Sequence, residues 1–359
     1  MNILFAYYYP SGGVETLARQ RSLALKKHGV YFHFLYFRKG PGLQNVMETP
    51  TFITNNDKEI QEIITKGNYE VIIVCSDHTF LQRLRNMNFK GKLIYEVQGL
   101  GSLINAQNWL KAAHTYVTKN ADAILFPKTP HLANLIDMHY PLIKKFSFHN
   151  CIDIKLFSYE KSNRSKESPI IGWVGRIEEN KNWKSFLEIG YQLVKFNPLI
   201  KLWMFIDATL TNPDQGKLFE KMCNEFQLNN NLKIYNNIPH QKMPKYYSII
   251  GDSGGLLCST SKVEGFGYAI VEAMSCRCPV LTTDSDGIKS FVFHNNTGKI
   301  FPHNNVQMAV KEAKGLLSEK SEREKICTNA QRYIEENFSP ENYAKNFLSM
   351  LKDLGVSKA

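Results

Sequence analysis

Short, uninterrupted apolar runs alternate along this chain with longer stretches of helical spacing, and the alternation starts afresh halfway through. Asn2-Ile3-Leu4-Phe5-Ala6-Tyr7-Tyr8 leads directly into Pro10-Ser11-Gly12-Gly13. Residues 14–27 follow, with apolar positions at Val14, Leu17, Ala18, Leu23 and Ala24, and Gly29 stops them. Continuous apolar runs of strand length are the mark of strands buried on both faces of a parallel sheet. Further runs begin at Val30, Val71, Leu93 and Ala123. A polar stretch over residues 158–168 then precedes a second series at Ile170, Leu202, Leu232, Gly255 and Pro279. Strands separated by helices predict an α/β chain of two parallel-sheet, Rossmann-like halves with a linker near the middle. Ser339-Pro340-Glu341 reads as a helix start inside an amphipathic tail over residues 306–354.

At 359 residues the chain is long for one core and comfortable for two. A hydrophobic content of 43% with 21% charged residues describes a globular protein. No apolar run approaches the ~18 residues of a membrane-spanning helix, and the opening strand lacks a basic leader, so a cytoplasmic protein is expected. Seven scattered cysteines read as reduced structural thiols. Lys and Arg total 44 against 33 Asp and Glu, a balance that suits an anionic partner. No nucleic-acid recognition motif accompanies that charge.

Three segments can carry chemistry. The densest is Ser261-Lys262-Val263-Glu264-Gly265-Phe266-Gly267, followed by a helical run containing Glu272. Loop glycines let backbone N–H groups approach a ligand, and a carboxylate inside the helix can accept from a ribose diol. The second is Gly175-Arg176 with Lys181, two cations at the end of an apolar strand, where open parallel sheets bind ligands. The third, Gly12-Gly13, lacks the G-x-G-x-x-G pattern of nicotinamide enzymes. It either brings amides to a phosphate or sugar, or is a tight turn. Asp284-Ser285-Asp286 has the form of a metal-binding D-x-D but follows a second-half strand, and is read as a loop. No histidine has a second ligand at metal-binding spacing.

Taken together and in order, these segments resemble glycosyltransferase family 4, retaining enzymes of the GT-B fold. Asn150-Cys151-Ile152-Asp153 through Phe157, Gly175-Arg176 with Lys181, Pro239-His240 to Ser248, Glu264 to Met274 with its E-x7-E spacing, Pro279-Val280 and Phe338-Ser339-Pro340 all contribute. The resemblance implies two facing Rossmann-like domains. An acceptor-binding one would span 1–150 with a returning helix in 340–359, and a nucleotide-sugar-binding one 151–339. It implies that Arg176 and Lys181 bind the donor diphosphate, with Gly12, Gly13 and Gly175 nearby. Glu272 would hold the ribose, while Glu264, Phe266 and Gly267 contact the transferred sugar. A hexosyl or N-acetylhexosaminyl unit would pass from a UDP-sugar, without metal or other cofactor, to a carbohydrate or lipid-linked acceptor of a bacterial surface polymer. Where family members often place a histidine, this chain has Gln98, which can orient a hydroxyl but not exchange protons near neutrality. Glu96 is either a substitute or the partner of a buried cation. The turn at Phe205-Ile206-Asp207-Ala208-Thr209 also lacks the family's glycines. These departures keep open a non-catalytic homologue that partners another transferase. Lys26-Lys27, Lys144-Lys145 and residues 109–119 suggest a basic face, which is either solvated or in peripheral contact with anionic lipid at the inner membrane face.

Overall fold

The computed structural model describes residues 1–46, 48–162, 168–211, 213–285 and 287–356. The chain divides into unit 1, Met1–Asp153 with Phe338–Ala359, and unit 2, Ile154–Asn337.

Unit 1 runs β1 (Asn2–Tyr7), α1 (Gly12–Lys26), β2 (Tyr31–Tyr36), β3 (Thr51–Ile53), α2 (Asp57–Gly67), β4 (Val71–Cys75), α3 (His78–Asn86), β5 (Lys92–Glu96), α4 (Leu103–Asn120), β6 (Ala123–Phe126), α5 (Pro130–His139) and β7 (Lys144–Ser147). Its seven strands are all parallel, in the order β3-β2-β1-β4-β5-β6-β7. β1 and β4 are buried through their centres, as the continuous apolar runs require. The edge strands β3, of three residues, and β7, largely polar, are too short or too polar to be announced by an apolar run. Lys144 and Lys145 lie on β7 and are tied down there. The Lys144 ammonium donates to the Asp353 carbonyl at 2.8 Å, and Lys145 to the Tyr140 carbonyl at 2.9 Å. Edge lysines of this kind also discourage pairing with another chain.

Unit 2 runs β8 (Ile170–Val174), α6 (Trp183–Phe196), β9 (Lys201–Ile206), α7 (Pro213–Glu225), β10 (Leu232–Asn236), α8 (Met243–Asp252), β11 (Leu256–Ser259), α9 (Tyr268–Ser275), β12 (Val280–Thr283), β13 (Lys299–Phe301), α10 (Val306–Ser318) and α11 (Lys320–Asn337). Its six parallel strands are ordered β10-β9-β8-β11-β12-β13. Trp183, Phe186 and Leu187 of α6 pack with Leu202 and Met204 of β9 in one core. Each such side chain contributes roughly 1.5–3 kcal/mol by leaving water.

The last helix, α12 (Pro340–Asp353), returns to unit 1 and packs on α1. Ser339 caps it by accepting from the Asn342 amide at 3.3 Å, and Pro340 occupies its first turn, where the missing N–H costs nothing. Tyr343, Phe347 and Leu351 form its buried face. Among the described residues no helix is long and apolar enough to cross a membrane. All seven cysteines are buried and free, with thiols pushed up by burial.

Candidate active site

In each sheet the strand order reverses once, between β1 and β4 in unit 1 and between β8 and β11 in unit 2. Loops leaving the carboxyl ends of the strands diverge at such a point and open a crevice. In unit 2 the two loops are residues 175–182 and 260–267, which hold most of the candidate site residues.

The two loops are stitched together by polar contacts. The Asn180 carboxamide donates to the Val263 carbonyl at 3.1 Å and accepts from the Val263 amide at 3.2 Å. Thr260 Oγ1 lies 2.9 Å from the carbonyls of both Lys181 and Asn182, and accepts from the Trp173 indole at 3.1 Å. Lys181 Nζ consequently meets Glu264 Oε1 at 2.6 Å, and Ser261 Oγ donates to the same oxygen at 2.6 Å. Both charged side chains keep partial exposure, 23% for Lys181 and 13% for Glu264, so a ligand can compete for either. Arg176, which follows Gly175 at the end of β8, lies 3.1 Å from Glu178 and is the more exposed of that pair.

Gly267 sits at φ +78°, the left-handed region that an L side chain resists, and opens α9. At Gly287 a Cβ would lie 2.2 Å from the Glu264 carbonyl oxygen, so only glycine lets the segment after β12 back the Glu264 loop. Phe266 is buried edge-on to Tyr268, at 4.8 Å between centroids. Amides in the first turn of α9 have no intrahelical acceptor.

Glu272 is one turn into α9 and 3% exposed. Its Oε1 lies 2.6 Å from His240 Nε2, and its Oε2 accepts from the Tyr247 hydroxyl at 2.9 Å. Tyr247 is fully buried; burial first, then the Glu272 charge and hydrogen bond, raise its pKa far above the ordinary tyrosine range. Its hydroxyl therefore stays protonated and donating, and Glu272 is fixed as an acceptor. His240 and Tyr247 lie in a segment whose family likeness was visible, yet sequence reasoning gave them no role. They are 32 and 25 positions from Glu272, and no spacing rule links such distances.

In unit 1, Gly12 and Gly13 open α1 as exposed residues, Gly12 at φ +64°. Ser11 makes no side-chain cap there. Glu96 ends β5 fully buried and paired with Arg21, which is equally buried; Nη1 of Arg21 reaches Oε2 at 3.0 Å and Nη2 contacts Oε1. Of the two roles open to Glu96, its surroundings are those of a buried cation's partner. Gln98 donates to Glu96 at 2.7 Å and accepts from Asn150 at 2.7 Å. Both ends of its amide thus belong to the chain of contacts Arg21–Glu96–Gln98–Asn150, in which Gln98 is half-buried and the other three are buried. Asp207, in the turn without glycines, accepts from the Thr209 amide at 3.0 Å. Asp284 pairs with Lys289 at 3.0 Å; Asp286, the other carboxylate of the D-x-D, lies outside the described residues.

Residues 156–333 match the family model described as glycosyl transferases group 1. Over 332 residues the chain is 20% identical to the poly(ribitol-phosphate) alpha-N-acetylglucosaminyltransferase of Staphylococcus aureus, covering 88% of this chain and 64% of that one. It is 29% identical over 187 residues to the poly(glycerol-phosphate) alpha-glucosyltransferase of Bacillus subtilis, covering 50% of this chain and 25% of that one. The chain thus spans less than two thirds of the length of either relative. Among solved structures, Anabaena HepE in complex with UDP and glucose superposes with a TM-score of 0.84 at 19% identity, over 98% of this chain and 100% of that one. At such identity the likeness speaks for the fold, two parallel-sheet Rossmann-like domains of GT-B type. Residues 156–333, just under half of the chain, thus match the glycosyl transferases group 1 family model, within a fold of GT-B type.

Proposed function

We propose that this chain is a retaining, metal-independent glycosyltransferase that moves a hexosyl or N-acetylhexosaminyl unit from a nucleotide diphosphate sugar, uridine preferred, to a glycan or lipid-linked acceptor. The observation that carries the reading is the accessible Lys181–Glu264 pair at the switch point of unit 2, with Arg176 on the same loop as Lys181 and Glu272 held as an acceptor. A diphosphate is a better partner for two cations than one carboxylate is. On binding it draws Lys181 and Arg176 onto its oxygens and frees Glu264 for a sugar hydroxyl.

As the bond from the anomeric carbon to the phosphate oxygen breaks, charge gathers on the leaving diphosphate, and cations fixed there lower the barrier. The acceptor oxygen bonds to the same carbon from the face the diphosphate leaves, and its proton passes to the departing phosphate oxygen. No enzymic nucleophile is required. Positioning and leaving-group stabilisation supply the rate. The remaining lone pairs of Glu272 suit the two hydroxyls of a ribose.

Two relatives bear names that specify polyol-phosphate acceptors, and one solved neighbour is titled as a complex with UDP and glucose. These support a UDP-sugar donor and a role in a bacterial surface polymer. Leu103 and Ile104, 54% and 68% exposed at the start of α4, support peripheral contact with the inner membrane face, together with Lys111 and Lys119 further along the helix.

The test is a thermal-shift panel of UDP, GDP, ADP and their sugar conjugates, with and without EDTA, on wild type and Arg176→Ala. Stabilisation by uridine nucleotides, indifferent to EDTA and lost in the variant, is expected; the anomer of the product then reports retention. No stabilisation by any nucleotide at millimolar concentration favours the non-catalytic partner instead.

A further inference from the structure

A second recess lies within unit 2, on the face of the β9–β10 edge of its sheet. Strand alternation builds it. Leu202 and Met204 of β9 point into the core beneath α6, so Lys201, Trp203 and Phe205 point to the opposite face. Lys233 pairs in register with Trp203, and Tyr235 with Phe205, adding their side chains to that face. The turn before α8 and α8 itself wall it with Lys242, Lys245 and Tyr246. The resulting cavity is about 970 Å³, at the upper end of the roughly 300–1,000 Å³ of small-molecule sites.

Its chemistry is one-sided. Four lysines, Lys201, Lys233, Lys242 and Lys245, line it against one carboxylate, Glu160. None of the four forms an ion pair among the described residues: Lys201 donates to the Asn230 carbonyl at 3.2 Å, and Lys233 sits 4.8 Å from the Tyr235 ring centre. Uncompensated cations around a concave site call for an anion. The lining aromatics do not form a stacking platform. Tyr235 lies flat on Phe205, 4.9 Å between centroids and 10° between planes, and Lys233 contacts the Tyr235 ring as well. Trp203 is only 5% exposed. Tyr246 stands edge-on to Tyr235, 5.0 Å between centroids, so these rings share no common face for a nucleobase, and the apolar part of the lining beside them is Leu232 and Ile249. The tyrosine hydroxyls and lysine ammonium groups instead offer hydrogen-bond donors, which suit a chain rich in hydroxyls and regularly charged.

We propose that this recess binds a segment of a polyanionic, hydroxyl-rich chain, a phosphodiester-linked polyol or glycan, separately from the donor site. The transferase reading enters only in what that segment belongs to, the distal part of an acceptor, so that affinity gathered here keeps the reacting end near the enzyme.

The proposal is tested by titrating the full chain with a phosphodiester-linked glycerol hexamer, a thymidylate hexamer of matching charge, maltohexaose, inorganic phosphate and anionic phospholipid vesicles. The glycerol phosphate hexamer should bind best. Its affinity should fall about tenfold in Lys233→Glu/Lys245→Glu, as reversal of two half-screened contacts implies. It should fall measurably in Tyr235→Phe/Tyr246→Phe, which removes donors without charge. Stabilisation by UDP should be unchanged in both variants, which also reports that they fold. Equal binding of the thymidylate hexamer, preference for vesicles, or unaltered affinity in the lysine variant would overturn the proposal. Loss of the UDP response in wild type, with hexamer binding intact, would sink the transferase reading and leave the recess standing.

Discussion

Each unit sets a cation against a carboxylate at the end of a parallel strand, and the two pairs differ in what water can reach. Arg21 and Glu96 are entirely buried, ringed by Phe5, Phe32, Tyr343 and Phe347 within 6 Å of the guanidinium carbon. Burial by itself would lower the Arg21 pKa, but the charge and hydrogen bond of Glu96 outweigh it and hold the guanidinium still more firmly charged. Lys181 and Glu264 keep part of their surface in solvent and sit on loops. A sealed pair cannot trade partners without unpairing in a low dielectric, whereas an accessible one can. The first fixes how α1, β5 and α12 meet. The second is suited to exchange its partner for a ligand.

That contrast can be broken from either side. Arg21→Met leaves Glu96 buried without its cation and should cost about 3–5 kcal/mol in urea unfolding, with Arg21→Met/Glu96→Leu recovering most of it. A loss under 1 kcal/mol in the single variant would mean that water reaches the pair. Lys181→Ala should remove at least about 100-fold of turnover, measured as sugar transfer from a UDP-sugar, with a stability change of about 1 kcal/mol or less. Equal damage to both quantities would make Lys181 structural like Arg21. Between these extremes, Tyr247→Phe takes one donor from Glu272. It should destabilise by about 1 kcal/mol and weaken nucleotide binding several-fold, which calorimetry would resolve.

A further effect concerns acid. His149 lies against Phe338, and burial, then the neighbouring charge of Lys128, lowers its pKa from 6.5 to about 4. The unfolded chain takes up that proton near pH 6.5 while the folded one waits until about 4. Stability should therefore decline as pH falls through this window. His149→Phe should flatten that part of the pH–stability curve. A curve identical to wild type would place the acid sensitivity elsewhere.

The sheets were legible because their central strands are buried on both faces, and such strands write themselves as unbroken apolar runs. Ile170-Ile171-Gly172-Trp173-Val174 is β8, and Ala123-Ile124-Leu125-Phe126 is β6. Edge strands obey no such rule. β3 and β7 are short, half-exposed and recruited by backbone pairing with β2 and β6, and Lys144-Lys145 read as part of a basic face, solvated or against lipid, rather than as a strand. The α12 start was readable because Ser339-Pro340 is a local signal whose physics needs only its own turn.

The candidate residues themselves could be picked out from the sequence because several short segments, each ordinary alone, follow one another in the order of one family's motifs. Their partners could not. Lys181 meets Glu264 across 83 positions, Arg21 meets Glu96 across 75, and Glu272 is held by residues 25 and 32 away. The sequence alone determined the central strands, the helices between them and which side chains crowd their ends, because propensity and periodicity act within a few residues. Only the tertiary structure decided which charges met, which were sealed and which stayed open, because pairing and solvent access depend on strand order. That order is set by how whole layers bury their apolar faces.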